Sequence, residues 1–323
     1  MHDVFLYETF EEEKAAIAQY CPPEINAGYT WKTIQESGHT KPPAPIISLR
    51  TQSVIPPAWA DKLTAILSRS AGYDHLARYQ QETEADIQYG YLPVYCVQAV
   101  AEQAMLLWMA LLRNLPRQVQ QFKQFRRDGL TGSECRGKTL VVTGVGNIGH
   151  QIVQLGKALG MTVFGVDIDP RHDDVDYLNI AEALPRADII VCAMNLTADN
   201  PNYFSYDRMQ AVSPGTLFIN IARGELAYTA DLLRLLDEGR LGGIGIDVYN
   251  RESELSVMLR DNRQQSGHPE VQAVLELRRR DHVIMTPHNA FNTAEAVQRK
   301  ASQSIEQLQH LKQHGTFHWS API

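Results

Sequence analysis

One six-residue pattern, Gly144-Val145-Gly146-Asn147-Ile148-Gly149, constrains this chain more than any other. Glycines cluster in any turn, so the pattern alone is weak. Here it directly follows an apolar β-branched run, Thr139-Leu140-Val141-Val142-Thr143, and opens a helix-like stretch from His150 to Leu159. Asp167 ends the next strand-like run, 18 residues after Gly149. Strand, tight turn, helix and a distant acid together describe a βαβ unit that holds a dinucleotide. Gly144 permits the turn, Gly146 lets the backbone approach a pyrophosphate, and Gly149 lets helix and strand pack closely. The N–H groups near Asn147 and Ile148 would face the pyrophosphate at the helix N-terminus. Asp167 would accept hydrogen bonds from both ribose hydroxyls and repel a 2′-phosphate, favouring NAD over NADP, although Arg171 lies near enough to weaken that preference.

The rest of the chain repeats the same alternation. Strand-like runs occur at Val4 to Tyr7, Pro45 to Leu49, Ala65 to Ser68, Thr162 to Val166, Asp188 to Cys192, Thr216 to Ile221, Gly243 to Ile246 and Val283 to Thr286. Helical sequence separates most of them, which implies a parallel, doubly wound α/β sheet with right-handed crossovers. At 323 residues the chain is long enough for two domains. The expected joins are the helix from Val97 to Leu115 and a second crossing after Phe291, where helical sequence resumes to His314. The longest apolar run, Ala104 to Leu112, is about half of what a bilayer span needs. A net charge of -7 argues against a nucleic-acid or membrane-surface role. The acidic N-terminal stretch carries no readable signal peptide, and Cys21, Cys96, Cys135 and Cys192 form no CxxC pair. A cytoplasmic protein with free thiols is expected. The histidines show no metal-like spacing, so no metal residues are assigned. His310 and His314, at i and i+4, lack a third ligand.

Three further segments place polar residues just beyond apolar strands: Asn220-Ile221-Ala222-Arg223-Gly224, Asp247-Val248-Tyr249-Asn250-Arg251-Glu252, and Thr286-Pro287-His288-Asn289-Ala290-Phe291. In an open parallel sheet, ligands bind outside the carboxyl ends of the strands. Taken singly, an Arg or His after a strand is usually a surface or capping residue. Together the segments supply a fixed cation, a carboxylate and an imidazole, the set needed to reduce a 2-keto acid.

Over nearly its whole length the chain resembles the D-isomer-specific 2-hydroxyacid dehydrogenases. Besides the glycine loop, the matching blocks are Ser68 to His75, Leu92 to Tyr95, Ala101-Glu102, Ala222 to Leu226, Leu241 to Gly243, Asp247 to Tyr249 and Thr286 to His288, in the family's order. His288 to Phe291 and Asp247 to Glu252 are most similar to the D-lactate dehydrogenase and vancomycin-resistance 2-keto-acid reductase branch. The resemblance implies a Rossmann nucleotide-binding domain at 99–291 and a discontinuous flavodoxin-like substrate domain at 1–98 and 292–323. It also implies roles. Arg223 would hold the substrate carboxylate and polarise the ketone, His288 would exchange a proton with the ketone oxygen, and Glu252 would hydrogen-bond to His288. Backbone N–H groups at Ala71 and Gly72 would meet the carboxylate, while Tyr95 and Phe291 would shape the pocket wall. Ile168, Met194, Asn195, Ala222 and Asp247 would complete the NAD-facing set, Asp247 on the nicotinamide carboxamide side. Relatives pair through the apolar helix near Ala104 to Leu112, which implies a homodimer.

The sequence departs from the family at Ala193-Met194-Asn195-Leu196-Thr197, where many members carry His-Val-Pro, and at Gln103, which reads as a structural helix position. Arg50 falls on a loop that reaches the substrate's far end in some relatives, so a dehydrogenase for larger or phosphorylated hydroxy acids is one alternative. An NAD-sensing corepressor-like binding protein is another, because it would keep the same glycine loop.

Overall fold

The apolar runs become parallel strands in two separate sheets, as the alternation requires. The computed structural model describes residues 2–263 and 265–323. The chain divides into two units, one running to Cys96 and resuming at Asn292–Ile323, the other Val97–Phe291.

The first unit holds β1 (Val4–Leu6), β2 (Ala27–Tyr29), β3 (Ile46–Leu49), β4 (Ala65–Ser68) and β5 (Gln88–Gly90). Their order is β2-β1-β3-β4-β5 and every pair is parallel, the flavodoxin-like arrangement. Tyr7, Ile47, Leu49, Trp59, Ile66 and Leu76 fill its core. Two helices, Glu11–Tyr20 and Ala294–His314, pack together from opposite ends of the sequence.

Between those helices the unit buries three charges. Arg69, wholly buried, donates from Nε to Glu13 at 2.8 Å, from Nη1 to the Ser48 hydroxyl at 3.0 Å and from Nη2 to the Tyr7 carbonyl at 2.6 Å. Lys300 Nζ lies 3.0 Å from the other Glu13 oxygen. Burial alone would push the Glu13 carboxyl up, but Arg69 and Lys300 outweigh it and hold it down to about 2. Burial also pulls the Lys300 ammonium down to about 8, against the opposing pull of Glu13. Glu13→Gln therefore strands two cations and should cost about 3 kcal/mol or more in urea unfolding. With a folded pKa below the unfolded 4.5, the Glu13 contribution is complete above that value and is lost as pH falls toward about 2. The wild-type advantage over Glu13→Gln should shrink across that window.

The second unit holds β6 (Thr139–Thr143), β7 (Thr162–Val166), β8 (Asp176–Tyr177), β9 (Ile189–Cys192), β10 (Thr216–Asn220), β11 (Leu241–Ile246) and β12 (Val283–Met285). The order β12-β11-β10-β9-β6-β7-β8, all parallel, is the doubly wound Rossmann sequence with one strand added. Ile190, Phe204, Phe218, Ile244 and Leu275 lie in its core. The long helix is Val97–Leu112 rather than running to Leu115, because Asn114 takes a left-handed conformation (φ 51°) and Pro116 starts a new helix, Leu115–Phe122. Strands β2, β5 and β8 were not expected from sequence. No helix among the described residues is long and apolar enough to cross a membrane.

Candidate active site

The glycine loop leaves β6 and enters the helix Asn147–Ala158, with Gly146 at its N-cap. Gly144 has φ 83°, and a Cβ there would lie 2.4 Å from the Met194 Cα. The segment after β9 is therefore packed against the turn, which places Met194 beside the loop while Asn195 is exposed. A Cβ on Gly149 would sit 1.9 Å from the Gly144 carbonyl oxygen, whereas one on Gly146 would meet nothing within 4 Å. Helix packing thus demands Gly149, and open space lies over Gly146, where a pyrophosphate needs the backbone. Asp167 accepts from Val145 N–H at 2.5 Å and from Asp169 N–H at 3.0 Å, so it braces the loop as well. Ile168 projects its side chain fully into solvent (102% exposed). These residues fit a dinucleotide.

Strands β10, β11 and β12 are neighbours, so Arg223, Asp247 and His288 all follow the carboxyl edge of one sheet. The first turn is held by Asn220, whose side chain donates to the Arg223 carbonyl at 2.9 Å and accepts from Ala222 N–H at 3.0 Å. Gly224 lets this turn lie on the next one, since a Cβ would come 1.9 Å from the Tyr249 carbonyl carbon. The guanidinium of Arg223 donates from Nη1 to the Ala222 carbonyl at 2.8 Å.

His288 Nδ1 lies 2.9 Å from both oxygens of Glu252. A carboxylate only accepts, so Nδ1 carries the proton in this pair and Nε2 is turned to the other side. Glu252 opens the helix Glu252–Arg260 behind Arg251, which is left-handed (φ 56°). His288 is left-handed too (φ 51°), an uncommon state for a side-chain-bearing residue. What holds it there is Asp247. This wholly buried carboxylate accepts from the Thr286 hydroxyl at 2.5 Å and from the Asn289 and Ala290 N–H groups at 2.9 and 2.8 Å. Burial pushes the Asp247 carboxyl up, against the pull of those same donors. Tyr249 OH adds a bond to the Thr286 carbonyl at 2.7 Å, and Gln103 Nε2 reaches the Thr286 hydroxyl at 3.4 Å.

Asp247, expected on the nicotinamide carboxamide side of the cofactor, is wholly buried, and its oxygens bond to the 286–290 loop that carries His288. Sequence reading missed Thr286, Tyr249 and Asn220 in that scaffold. The Thr-Pro-His and Asp-Val-Tyr blocks named two of them without revealing their bonds. Phe291 stands edge-on to His288, with ring centroids 6.4 Å apart.

In the first unit, Ala71 and Gly72 are half-buried on the turn after β4, where the Ser70 hydroxyl donates to the Gly72 carbonyl at 2.7 Å. Tyr95 is buried, with Lys300 Nζ 5.9 Å from its ring centre, beside the charge cluster. Arg50 stacks over Phe10 at 5.0 Å, and its loop is pinned by Glu8, which accepts from the N–H groups of Arg50, Gln52 and Ser53.

Residues 105–290 match the family model described as D-isomer specific 2-hydroxyacid dehydrogenase, NAD binding domain. A D-lactate dehydrogenase of Streptococcus agalactiae is 30% identical over 262 residues, covering 78% of this chain and 77% of that protein. A D-specific alpha-keto acid dehydrogenase of Enterococcus faecalis is 29% identical over 242 residues, covering 74% and 73%. Among solved structures, the D-lactate dehydrogenase of Aquifex aeolicus, complexed with NAD and lactic acid, superposes with a TM-score of 0.83 at 24% identity over 98% of both chains.

Proposed function

This chain belongs to the D-isomer-specific 2-hydroxyacid dehydrogenase family, and from that premise we infer an NAD-dependent oxidoreductase that interconverts a small 2-keto acid and its D-2-hydroxy acid, in the manner of a D-lactate dehydrogenase. The observation that carries the mechanism is the His288–Glu252 pair at 2.9 Å, held on the same sheet edge as Arg223. The NAD-sensing corepressor is not favoured, since relatives such as the D-specific alpha-keto acid dehydrogenase and the D-lactate dehydrogenase are dehydrogenases.

NADH, when bound, supplies the hydride. Gly144, Gly146, Asn147, Ile148 and Gly149 would hold its pyrophosphate, with Asp167 and Ile168 at the adenosine end and Met194, Asn195 and Ala222 along the remaining edge. Arg223 presents a planar fork to the substrate carboxylate and draws electron density from the ketone. His288 gives the proton on Nε2 to the ketone oxygen in reduction and takes it back in oxidation. Glu252, fixed to Nδ1, keeps that ring in register. Phe291, edge-on to His288, narrows the space for the substrate side chain. The first unit is then the substrate domain and the second the NAD domain.

The test is loss of NADH absorbance with a panel of 2-keto acids from pyruvate and glyoxylate through phenylpyruvate and 2-ketoisocaproate to oxaloacetate and phosphohydroxypyruvate. Turnover of a small uncharged-tail acid is expected, and tight NADH binding with no acid reduced would overturn the reading. A preference for the dianionic acids, abolished in Arg50→Ala, would instead assign Arg50 to the far end of the substrate. Run in parallel, NADPH should be poorer by about 10- to 100-fold, because Asp167 opposes a second negative charge at the ribose. Asp167→Ala should narrow that gap by weakening NADH more than NADPH.

A homodimer completes the reading. Leu115, Val119 and Phe122 recur at i, i+4 and i+7 on one face of their helix, and Val119 and Phe122 are 64% and 73% exposed, with Phe125 beside them. Light scattering should give twice the 36.3 kDa chain mass, and Val119→Asp with Phe122→Asp should return the monomer.

A further inference from the structure

We propose that His150, His172 and Asp174 form a binding site for a divalent transition-metal ion of the zinc class, separate from the reacting centre. His150 stands in the first turn of the helix that the glycine loop opens, and His172 and Asp174 lie on the segment between β7 and β8. Sequence spacing hides the group, because its two imidazoles come from different elements. The fold brings one ligand atom from each of the three residues within 4.8 Å of the others. His150 Nε2 is 3.0 Å from Asp174 Oδ1, and the two imidazoles stack face to face, with centroids 3.9 Å apart and planes within 7°.

The donor set itself specifies the ion. Two imidazole nitrogens and one carboxylate oxygen suit Zn²⁺ or its neighbours, not Ca²⁺ or Mg²⁺, which take oxygen shells. Ligands about 2.1 Å from a tetrahedral zinc stand about 3.4 Å from each other, so small side-chain rotations bring all three into range. Both histidines are half-buried and Asp174 is exposed, leaving room for water in a fourth position. Gln154, one turn beyond His150, already reaches Asp174 with its amide and is close enough to replace that water. Lys157 is the competing cation: its Nζ lies 3.9 Å from Asp174 Oδ2 and also donates to the Asp174 carbonyl. An ion here displaces Lys157 from the carboxylate. It ties the segment that carries Asp167 and Ile168 to the helix of the glycine loop.

The test is calorimetric titration of the metal-free protein with ZnCl₂, with CoCl₂ spectra as a second readout. His310, His314 and His318 also gather, in the first unit, with ring centroids 4.4 and 5.5 Å from His310, so His314→Ala is the control. The wild type should bind zinc, and His172→Ala and Asp174→Asn should each weaken one ion at least about 100-fold, beyond the effect of losing an outer-shell partner. His314→Ala should leave that ion in place. The cobalt spectrum should lack a sulfur-to-metal band, because the donor set holds no sulfur. No zinc binding by the wild type, binding unchanged in His172→Ala and Asp174→Asn, or binding lost only in His314→Ala would each overturn the proposal. NADH fluorescence titration of every variant shows that it is folded.

Discussion

Replacing His288 with Ala lowers kcat for 2-keto acid reduction by about 100- to 10,000-fold, the range that a positioned general acid contributes. NADH affinity should stay near that of the wild type, because His288 follows β12, at the sheet edge far from β6, which feeds the glycine loop. The loss should fall on kcat more than on KM, since the proton moves only in the transition state. Stopped-flow reduction and fluorescence titration of NADH measure the two halves. A variant that turned over at the wild-type rate would remove His288 from the mechanism. Asp247→Asn should act through the same loop, with His288 present but released from its left-handed conformation, and so lower kcat without changing the identity of the proton donor.

Arg223→Lys is the second large effect. The substitution keeps the charge and removes the fork, so a bidentate grip on the carboxylate becomes a single, mobile contact. Catalytic efficiency should fall about 100- to 1,000-fold, the scale of losing one oriented donor to a developing oxyanion. KM should rise and kcat should fall together, because Arg223 both binds the carboxylate and polarises the ketone. Arg223→Gln, which keeps planarity without charge, should be as poor or poorer. Wild-type efficiency in the lysine variant would show that charge alone suffices.

The legibility of this chain was uneven for physical reasons. The second unit's long strands could be read because buried parallel strands are apolar on both faces, as in Leu140 to Val142 and Ile189 to Val191. Strands β2 and β5, Ala-Gly-Tyr and Gln-Tyr-Gly, offer three residues each and no β-branched side chain, while β8 is only Asp176–Tyr177. Their neighbours in the sheet define them, and local sequence carries no trace of that. The glycine loop and Asp167 were visible because motif spacing encodes them, and the His288–Glu252 pair was implied by the family resemblance. The supports were not. Asp247 was placed toward the cofactor by the family resemblance, and nothing local showed that its three bonds run to residues about 40 positions later. The His150–His172–Asp174 group is likewise a product of tertiary proximity between two elements.

The buried Glu13–Arg69–Lys300 cluster bears on how the chain is made. A ribosome releases Glu13 and Arg69 early, but Lys300 emerges only after the whole second unit has been synthesised. The second unit is continuous and can close as soon as its last strand appears. The first unit must wait, its N-terminal sheet formed against a surface where the helix Ala294–His314 has yet to arrive. During that interval Glu13 and Arg69 have each other but not Lys300, and the apolar face of Ala16 and Ile17 stays open to solvent. A nascent chain arrested before residue 294 should therefore be protected from protease across the second unit and cut within the first. Extending the chain through residue 314 should close that window in a single step.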